Sequence, residues 1–381
     1  MQLMRKTFKY RLFPTRAQET ILDAQLDECW WLYNHLLEER KTAYEATKTA
    51  PSLYDQQKTI PGLKATRPTL GDVHSQVLQN VAVRIDLAFK AFFRRTKAGE
   101  VPGYPRFRGK FHYDSMTFPQ CPSGCSVDGD QLVLSKVGTI RIVLHRPLEG
   151  TPKTCTVRRS STGKWYVNFS CEVPDPTPLP TSALQVGIDV GLTTFATLST
   201  GPTGEPIDNP RFFRTDEKEL AKVQRKFAKT AKGTAERRKR RKPVARVHER
   251  IKFRRDNFAN QTSRRIVNRF GFIAVEDLEV NRMVHNHSLA KSISDASWSL
   301  FFALLIFKAA NAGRSLVKVN PAYTSQTCHG CGHRQKMPLA GRIYRCECCK
   351  GECGRDHNAS LNILALGLQG IGGNSVEAAA L

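Results

Sequence analysis

Residues 5 to 13, RKTFKYRLF, alternate bulky and polar side chains, the period of a strand with one buried face, and Pro14 ends the run. Thr15 and Gln18 form a Thr-x-x-Gln capping box that predicts a helix start. Leu22, Leu26, Cys29, Tyr33 and Leu36 then recur at helical spacing. A second helical stripe runs through Leu78, Val81, Ile85, Ala88 and Phe92. The Pro/Gly/Thr-rich stretch between them, about Pro51 to Gly71, is expected as a connection. From 115 to 175 the period falls to two: TIRIVLH alternates strictly, and TCTVRRSSTGKWYVNFSCEV predicts a hairpin turning at Thr162-Gly163. Trp165, Val167, Phe169 and Cys171 share one face of it, which makes Cys171 a core residue. PDPTPLPTS, Pro174 to Ser182, is the clearest domain boundary.

Beyond that linker, LQVGIDVGLTTFATLST predicts a buried strand, a glycine turn and a second strand. FGFIAVEDL is a short buried strand ending on acid, SWSLFFALLIFKAANAG a helix closed by Gly313, and RSLVKVNP a strand stopped by Pro321. A last helix is expected over about Asn358 to Leu368, followed by a glycine-rich tail without the strand-turn-helix setting of a dinucleotide fingerprint. The whole is an α/β multidomain pattern.

Charge changes the picture. The chain of 381 residues carries a formal charge of +25, which favours a polyanionic partner, because each neutralised phosphate releases condensed counterions. The excess is concentrated between Arg214 and Arg255, with eighteen basic and five acidic residues on helical segments expected to break at Gly233-Thr234 and at Pro243. A solvated helix face is the ordinary reading of such a run; its density favours a phosphate-tracking surface. GEVPGYPRFRG, Gly99 to Gly109, sets aromatics among arginines, which suits base stacking or a surface turn with packed rings. MQLMRKTFKYRLF lacks the apolar core of a secretion signal, and LFFALLIF is too short to cross a bilayer, so a cytoplasmic chain with reduced thiols is expected.

Two chemistries stand out. Cys328-x2-Cys331 and Cys346-x2-Cys349 are paired knuckles with zinc spacing. Cys348 and Cys353 fall outside that spacing, Cys121 and Cys125 suit plain loop thiols before half a metal site, since no second pair stands nearby in sequence, and His329, His333 and His357 suit surface or helix-end roles. Three acids sit where burial is costly: Asp189 inside VGIDVGL, Glu276 at the end of FIAVE, and Asp356 opening the last helix. Brought together, they would repel one another and hold magnesium, and two such ions activate water for phosphodiester hydrolysis. Capping or pairing with a nearby arginine is the plainer role for each alone. Asp277, Glu279 and Asp295 are neighbouring candidates; for Asp295 a helix N-cap is the simpler role.

The ordered set GIDVGL, AVEDL, SISDASW, VNPAYTSQTCHGCG and CECCKGECGRDHNASLNIL resembles the TnpB family, the RNA-guided nucleases of insertion sequences, which are similar to type V CRISPR effectors. FKYRLFPTRAQ and YPRFRGKF resemble it too, so the likeness runs nearly end to end. It implies an RNase H-like (RuvC) nuclease with the triad Asp189, Glu276 and Asp356 holding Mg2+, and a zinc finger of Cys328, Cys331, Cys346 and Cys349. By domains it implies the first strand of a wedge β-barrel over 1–14, a helical recognition domain over 15–114, and the rest of the barrel with the linker over 115–182. The nuclease core then takes 183–323, the zinc finger 324–353, and the final helix and tail 354–381. The implied partners are a guide RNA from the transposon end and target double-stranded DNA read beside a short motif, with no membrane and a monomeric, nucleoid-associated chain in a prokaryote. Lys350 stands where the family commonly has glycine, and Gly354 where an acid often precedes Arg-Asp. Alternatives are a non-cutting RNA-guided binder, a strand-joining transposase, and an actin-like ATPase suggested by GIDVGLTT.

Overall fold

A computed structural model describes residues 3–338 and 341–373, which divide into two compact units, Met1–Asp175 and Pro176–Leu381.

The first unit opens with β1 (Leu3–Phe13) and α1 (Arg16–Thr47). Thr15 and Gln18 close the capping box in both directions. A second helix, α2 (Leu53–Thr66), occupies the stretch expected as a connection. Ser52 and Asp55 cap it reciprocally, and Ile60 and Gln56 bury one side. Those caps and contacts outweigh Pro61, which sits within the helix. Next come α3 (Ser75–Lys97), β2 (Ser115–Phe118), β3 (Cys125–Asp128), β4 (Gln131–Leu134), β5 (Gly138–Val143), β6 (Thr151–Arg159) and β7 (Trp165–Pro174). The strands form one antiparallel sheet in the order β2-β6-β7-β1-β5-β4-β3. It is nearly a barrel, but the edge strands β2 and β3 do not pair among the described residues, so the expected barrel stays open. Phe8, Tyr10 and Leu12 face inward with Trp165, Val167, Phe169 and Cys171, and the leucine stripe of α1 joins the same core. Arg84 ties α3 to β2 through the Ser115 carbonyl at 2.8 Å and Thr117 Oγ1 at 2.9 Å.

The second unit begins with β8 (Gln185–Val190), β9 (Thr194–Leu198) and β10 (Glu205–Asp208), then α4 (Phe212–Ala228) and α5 (Ala235–Arg269). The helix break at Gly233-Thr234 is present; the one expected at Pro243 is not, since α5 runs through it. Val244, Val247 and Ile251 pack there against Val223 and Leu220 of α4 and hold the helix together. There follow β11 (Phe272–Glu276), α6 (Val280–Met283), α7 (Ala290–Ala296), α8 (Trp298–Asn311), β12 (Ser315–Val319), the hairpin β13 (Ile343–Arg345) and β14 (Glu352–Gly354), and α9 (Arg355–Gly373). The region Ala290–Asn311 is long and apolar enough to cross a membrane. Here it is two helices broken at Ser297 (φ 57°), with Trp298, Phe301, Phe302 and Leu305 buried in the core.

The main sheet has the order β10-β9-β8-β11-β12. The β10-β9 and β9-β8 pairs are antiparallel, while β8, β11 and β12 run parallel. Alternation assigns its faces: Val186, Ile188, Ile273 and Val275 join the core under α5 and α8, whereas Phe272, Ala274 and Val319 pack with Ile363 of α9 on the other side.

Candidate active site and cysteine clamp

Gly187, Asp189, Phe272, Ala274 and Glu276 therefore look toward α9. The register pairs Val275 with Ile188, and one residue further sets Glu276 beside Asp189 on strands about 4.8 Å apart. The helix is seated by glycine: a Cβ on Gly187 would stand 2.0 Å from the Ser360 carbonyl and 2.6 Å from the Leu364 nitrogen. On the helix side, a Cβ on Gly367 would meet Ala274 Cβ at 2.7 Å. Backbone thus rests on backbone at Gly187 and Ser360. Two residues along the strand span about 6.7 Å and four residues of helix about 6 Å. The residue a turn before Ser360 is Asp356, and the next residue of β8 on that face is Asp189.

Asp189 feels the other two acids. Burial pushes the Asp189 carboxyl well above the usual carboxylate range, and the charges of Glu276 and Asp356 push it further, against the Arg355 cation and the Val190 N–H. Glu276 is 8% exposed and also raised by burial, although Thr324 Oγ1 donates to its Oε1 at 2.7 Å. Asp356 turns toward cations, with Arg355 Nε at 3.4 Å and Arg342 Nη1 at 4.0 Å. Arg342 also donates to Thr193 Oγ1 at 2.7 Å. The acids are looser than the cysteines: among the described residues, only the cysteine tetrad has all its ligand atoms within 4.8 Å of one another. Burial holds Asp189 and Glu276 toward neutrality, a cost that a divalent cation between them would relieve.

The neighbouring acids do other work. Asp277 pairs with Lys318 at 3.0 Å and Glu279 with Arg282 at 2.7 Å, both near the surface. Asp295 corrects the expectation of a cap for its own helix. It lies near the end of α7, buried, and accepts from the Phe213 N–H at 2.9 Å and from Arg255 Nη2 at 2.8 Å. It therefore caps α4, which has no side-chain cap of its own, from across the fold.

Cys328, Cys331, Cys346 and Cys349 form the tetrad. Sulfurs of Cys328 and Cys349 stand 3.7 Å apart, and those of Cys331 and Cys346 3.5 Å apart. A tetrahedron with zinc–sulfur bonds of about 2.3 Å has edges of about 3.8 Å, so the four thiols fit zinc. Backbone N–H groups of Cys349 and Cys348 point at the Cys346 sulfur and favour its thiolate. Cys348 is exposed and Cys353 packs beside Tyr344, both outside the tetrad. The Cys121–Cys125 half-site gains only Cys155. The hydrogen bond to Cys125 and burial push the Cys121 thiol up; the same bond lowers Cys125, but its bond to Cys155 and burial leave it raised, the opposite of what a ligand needs.

Lys350, in the second knuckle, has φ 59°. A side chain in the left-handed region costs about 1–2 kcal/mol, which explains a preference for glycine there. Lys350→Gly is expected to stabilise zinc-loaded protein by about 1 kcal/mol, read as a higher melting temperature; an unchanged or lower one contradicts the strain.

Sequence reasoning missed the link between clamp and acids. The chain from Thr324 to His329 enters the first knuckle and is held by α9: Asn358 Oδ1 accepts from the His329 N–H at 3.0 Å, and its Nδ2 donates to the Thr327 carbonyl at 2.7 Å. Asn362 Nδ2 donates to the Thr324 and Thr327 carbonyls at 2.8 and 2.7 Å. Thr324 in turn holds Glu276. The signal was present as Asn358 and Asn362, four apart and so on one face of the last helix. On the other flank, β13 and β14 run straight into α9, and the Arg355 N–H donates to the Arg342 carbonyl at 2.8 Å.

The basic hairpin of α4 and α5 is divided by its ion pairs. At its base Asp216 accepts from Arg250 at 3.0 Å and from Arg254 at 3.4 Å, and Glu219 pairs with Arg250. From Lys222 to Arg246 there are twelve lysines and arginines against one acid, Glu236, which Arg240 occupies. Among the described residues Lys226, Lys229, Lys232, Arg238, Lys242 and Arg246 make no ion pair.

Comparison with known proteins agrees with this anatomy. Residues 168–287 match a family described as "Probable transposase", residues 298–363 the "Cas12f1-like, TNB domain", and residues 1–49 a "Helix-turn-helix domain", although those last residues fold here as a strand and one continuous helix. A Streptomyces pristinaespiralis protein provisionally named an RNA-guided DNA endonuclease is 37% identical over 97% of this chain and 90% of its own. InsQ of Escherichia coli K12, with the same provisional name, is 30% identical over 95% of this chain and 92% of its own. The fold resembles Cas12f1 as seen in a complex with sgRNA and target DNA, with a TM-score of 0.54 at 16% identity over 95% of this chain and 98% of that one. On near-full-length identity to these relatives, the chain belongs to the TnpB family, related to Cas12f.

Proposed function

We propose that the chain is a nuclease that binds a guide RNA and hydrolyses DNA matching it, with Asp189, Glu276 and Asp356 as the catalytic carboxylates. The observation that carries this is the convergence of three acids on one face of a sheet, in a protein otherwise dominated by positive charge. The strand order β10-β9-β8-β11-β12, three antiparallel strands followed by two parallel ones, supports the RNase H-like (RuvC) assignment. The names of the full-length relatives support the class of substrate.

Magnesium ions held by the three carboxylates would supply Lewis acidity and an activated water. Thr324 fixes one oxygen of Glu276 and leaves the other for a ligand. Arg355 and Arg342 stand against Asp356 and offer positive charge to a scissile phosphate beside it. Zinc in the cysteine tetrad has no chemical part; it fixes the Thr324–His329 segment and the start of α9, which carry Thr324 and Asp356. The unneutralised tip of the α4–α5 hairpin takes nucleic-acid phosphates.

The test is to purify the chain with its native RNA, sequence that RNA, and offer duplex DNA matching its variable end. Mg2+-dependent cuts that move when the guide is changed support the reading. Joined rather than hydrolysed ends would assign strand transfer instead, and binding without cutting would leave a repressor. Replacing Arg238, Lys242 and Arg246 by glutamine is expected to flatten the salt dependence of RNA binding by about 0.7–0.9 in log–log slope for each phosphate no longer neutralised. An unchanged slope in a binding titration would remove the hairpin tip from the interface.

A further inference from the structure

The end of α3 and the loop that follows carry exposed aromatic rings that the nuclease reading does not use. Phe93 is 62% exposed, Phe107 53%, Phe111 52% and Tyr104 45%. They are not a loose tail. Tyr104 packs edge-on against Phe89 at 5.6 Å and Phe92 at 5.4 Å, and Phe93 leans on Phe92 at 5.3 Å. The far end of the loop is fastened to α1: Trp30 Nε1 and Asn34 Nδ2 both donate to the Arg108 carbonyl, at 2.5 and 2.9 Å, and the Arg108 N–H donates to Asn34 Oδ1 at 2.8 Å. Leaving large rings in water on a fastened surface forgoes burial energy and marks a contact site.

The surrounding charge says what the contact is. Arg94, Arg95, Lys97, Arg106, Arg108 and Lys110 interleave with the rings, against one acid within the segment, Glu100, 3.8 Å from Arg95. A protein partner would need matching acids; rings interleaved with cations match bases and phosphates together. Rings stack on bases only where the bases are unpaired. We propose that Phe93, Tyr104 and Phe107, with Arg94, Arg106 and Arg108, form a stacking platform for an unpaired segment of the bound RNA. The choice of RNA rests on the reading above, in which RNA is the resident partner, and on the pairing of aromatic and guanidinium planes that unpaired RNA bases favour.

Full-length chain is irradiated with short oligouridine bearing 4-thiouridine, and in parallel with the 4-thiothymidine DNA equivalent. RNA adducts are expected on peptides containing Phe93, Tyr104 or Phe107. Phe93 and Phe107 are exposed, so Phe93→Ala with Phe107→Ala leaves the fold intact; it is expected to weaken oligouridine binding about tenfold and leave an abasic strand of equal charge unaffected. Adducts only elsewhere, preferential adducts with the DNA probe, or equal losses for abasic and base-bearing strands would each overturn the proposal. Crosslinks here from a chain that never cuts DNA would sink the nuclease reading and leave the platform standing. Unchanged RNA affinity in a double variant that still cuts would do the reverse.

Discussion

Asp189→Ala is expected to lower guided DNA cleavage by a factor on the order of 10³ or more, the rate equivalent of the several kcal/mol that a metal supplies to transition-state charge. Binding of RNA and matched DNA should persist, because the substitution removes a negative charge from a surface meant for phosphate. A second readout separates catalysis from damage to the fold. Burial and the charges of Glu276 and Asp356 raise the carboxyl in the folded chain. A carboxyl raised on folding contributes stability below its unfolded pKa and loses it as pH climbs through the folded value, so above the unfolded pKa the buried carboxyl works against folding. Asp189→Asn should therefore melt higher than the parent in chelator. Added Mg2+ should stabilise the parent and do little for the variant. A variant that cuts normally, or one that melts lower in chelator and binds no DNA, would remove Asp189 from the role assigned to it.

Cys346→Ser should have an effect nearly as large, through geometry. Zinc binding is worth about 10–16 kcal/mol in isolated zinc-finger peptides, and the clamp here has little core of its own beyond Tyr344 and Met337. Losing it frees the segment from Thr324 to His329, and with it the hydroxyl that holds Glu276 and the carbonyls that hold Asn358 and Asn362. Zinc should fall well below one per chain, cleavage by at least about 100-fold, and amide exchange should quicken at Thr324–Cys331 and Arg355–Asn362. Exchange in the first unit should not change. Full cleavage by zinc-free protein would show that the clamp positions nothing.

Much of this was legible along the chain because its signals are local. Alternation marks β1, β5 and β7, and the reciprocal pattern of Thr15 and Gln18 marks the start of α1. The cysteine spacing gives the tetrad, because the ligands of a knuckle lie within one turn of chain. Asp189 and Glu276 drew notice as charges on apolar strands, and the parallel register that makes them neighbours follows from the strand order. What escaped depends on contacts across the fold. Pro61 and Pro243 are breakers by local rule, yet α2 and α5 absorb them through caps and side-chain packing. Asp295 caps a helix some eighty residues earlier, which no local pattern announces. Thr324, Asn358 and Asn362 are ordinary polar residues until the knuckle and α9 meet. The short strand β10, four residues with a proline, carries no periodic signal of its own.

The central claim is that Asp189, Glu276 and Asp356 share one divalent-ion pocket, although their carboxylates are spread more widely than the cysteine sulfurs. The RNA-bound protein soaked with Mn2+ and imaged by anomalous diffraction tests it directly. The account predicts manganese between the three side chains, with carboxylate oxygens about 2.1 Å from an ion and Asp356 swung away from Arg342. Manganese bound at other acids, with these three carboxylates unmoved, would contradict it.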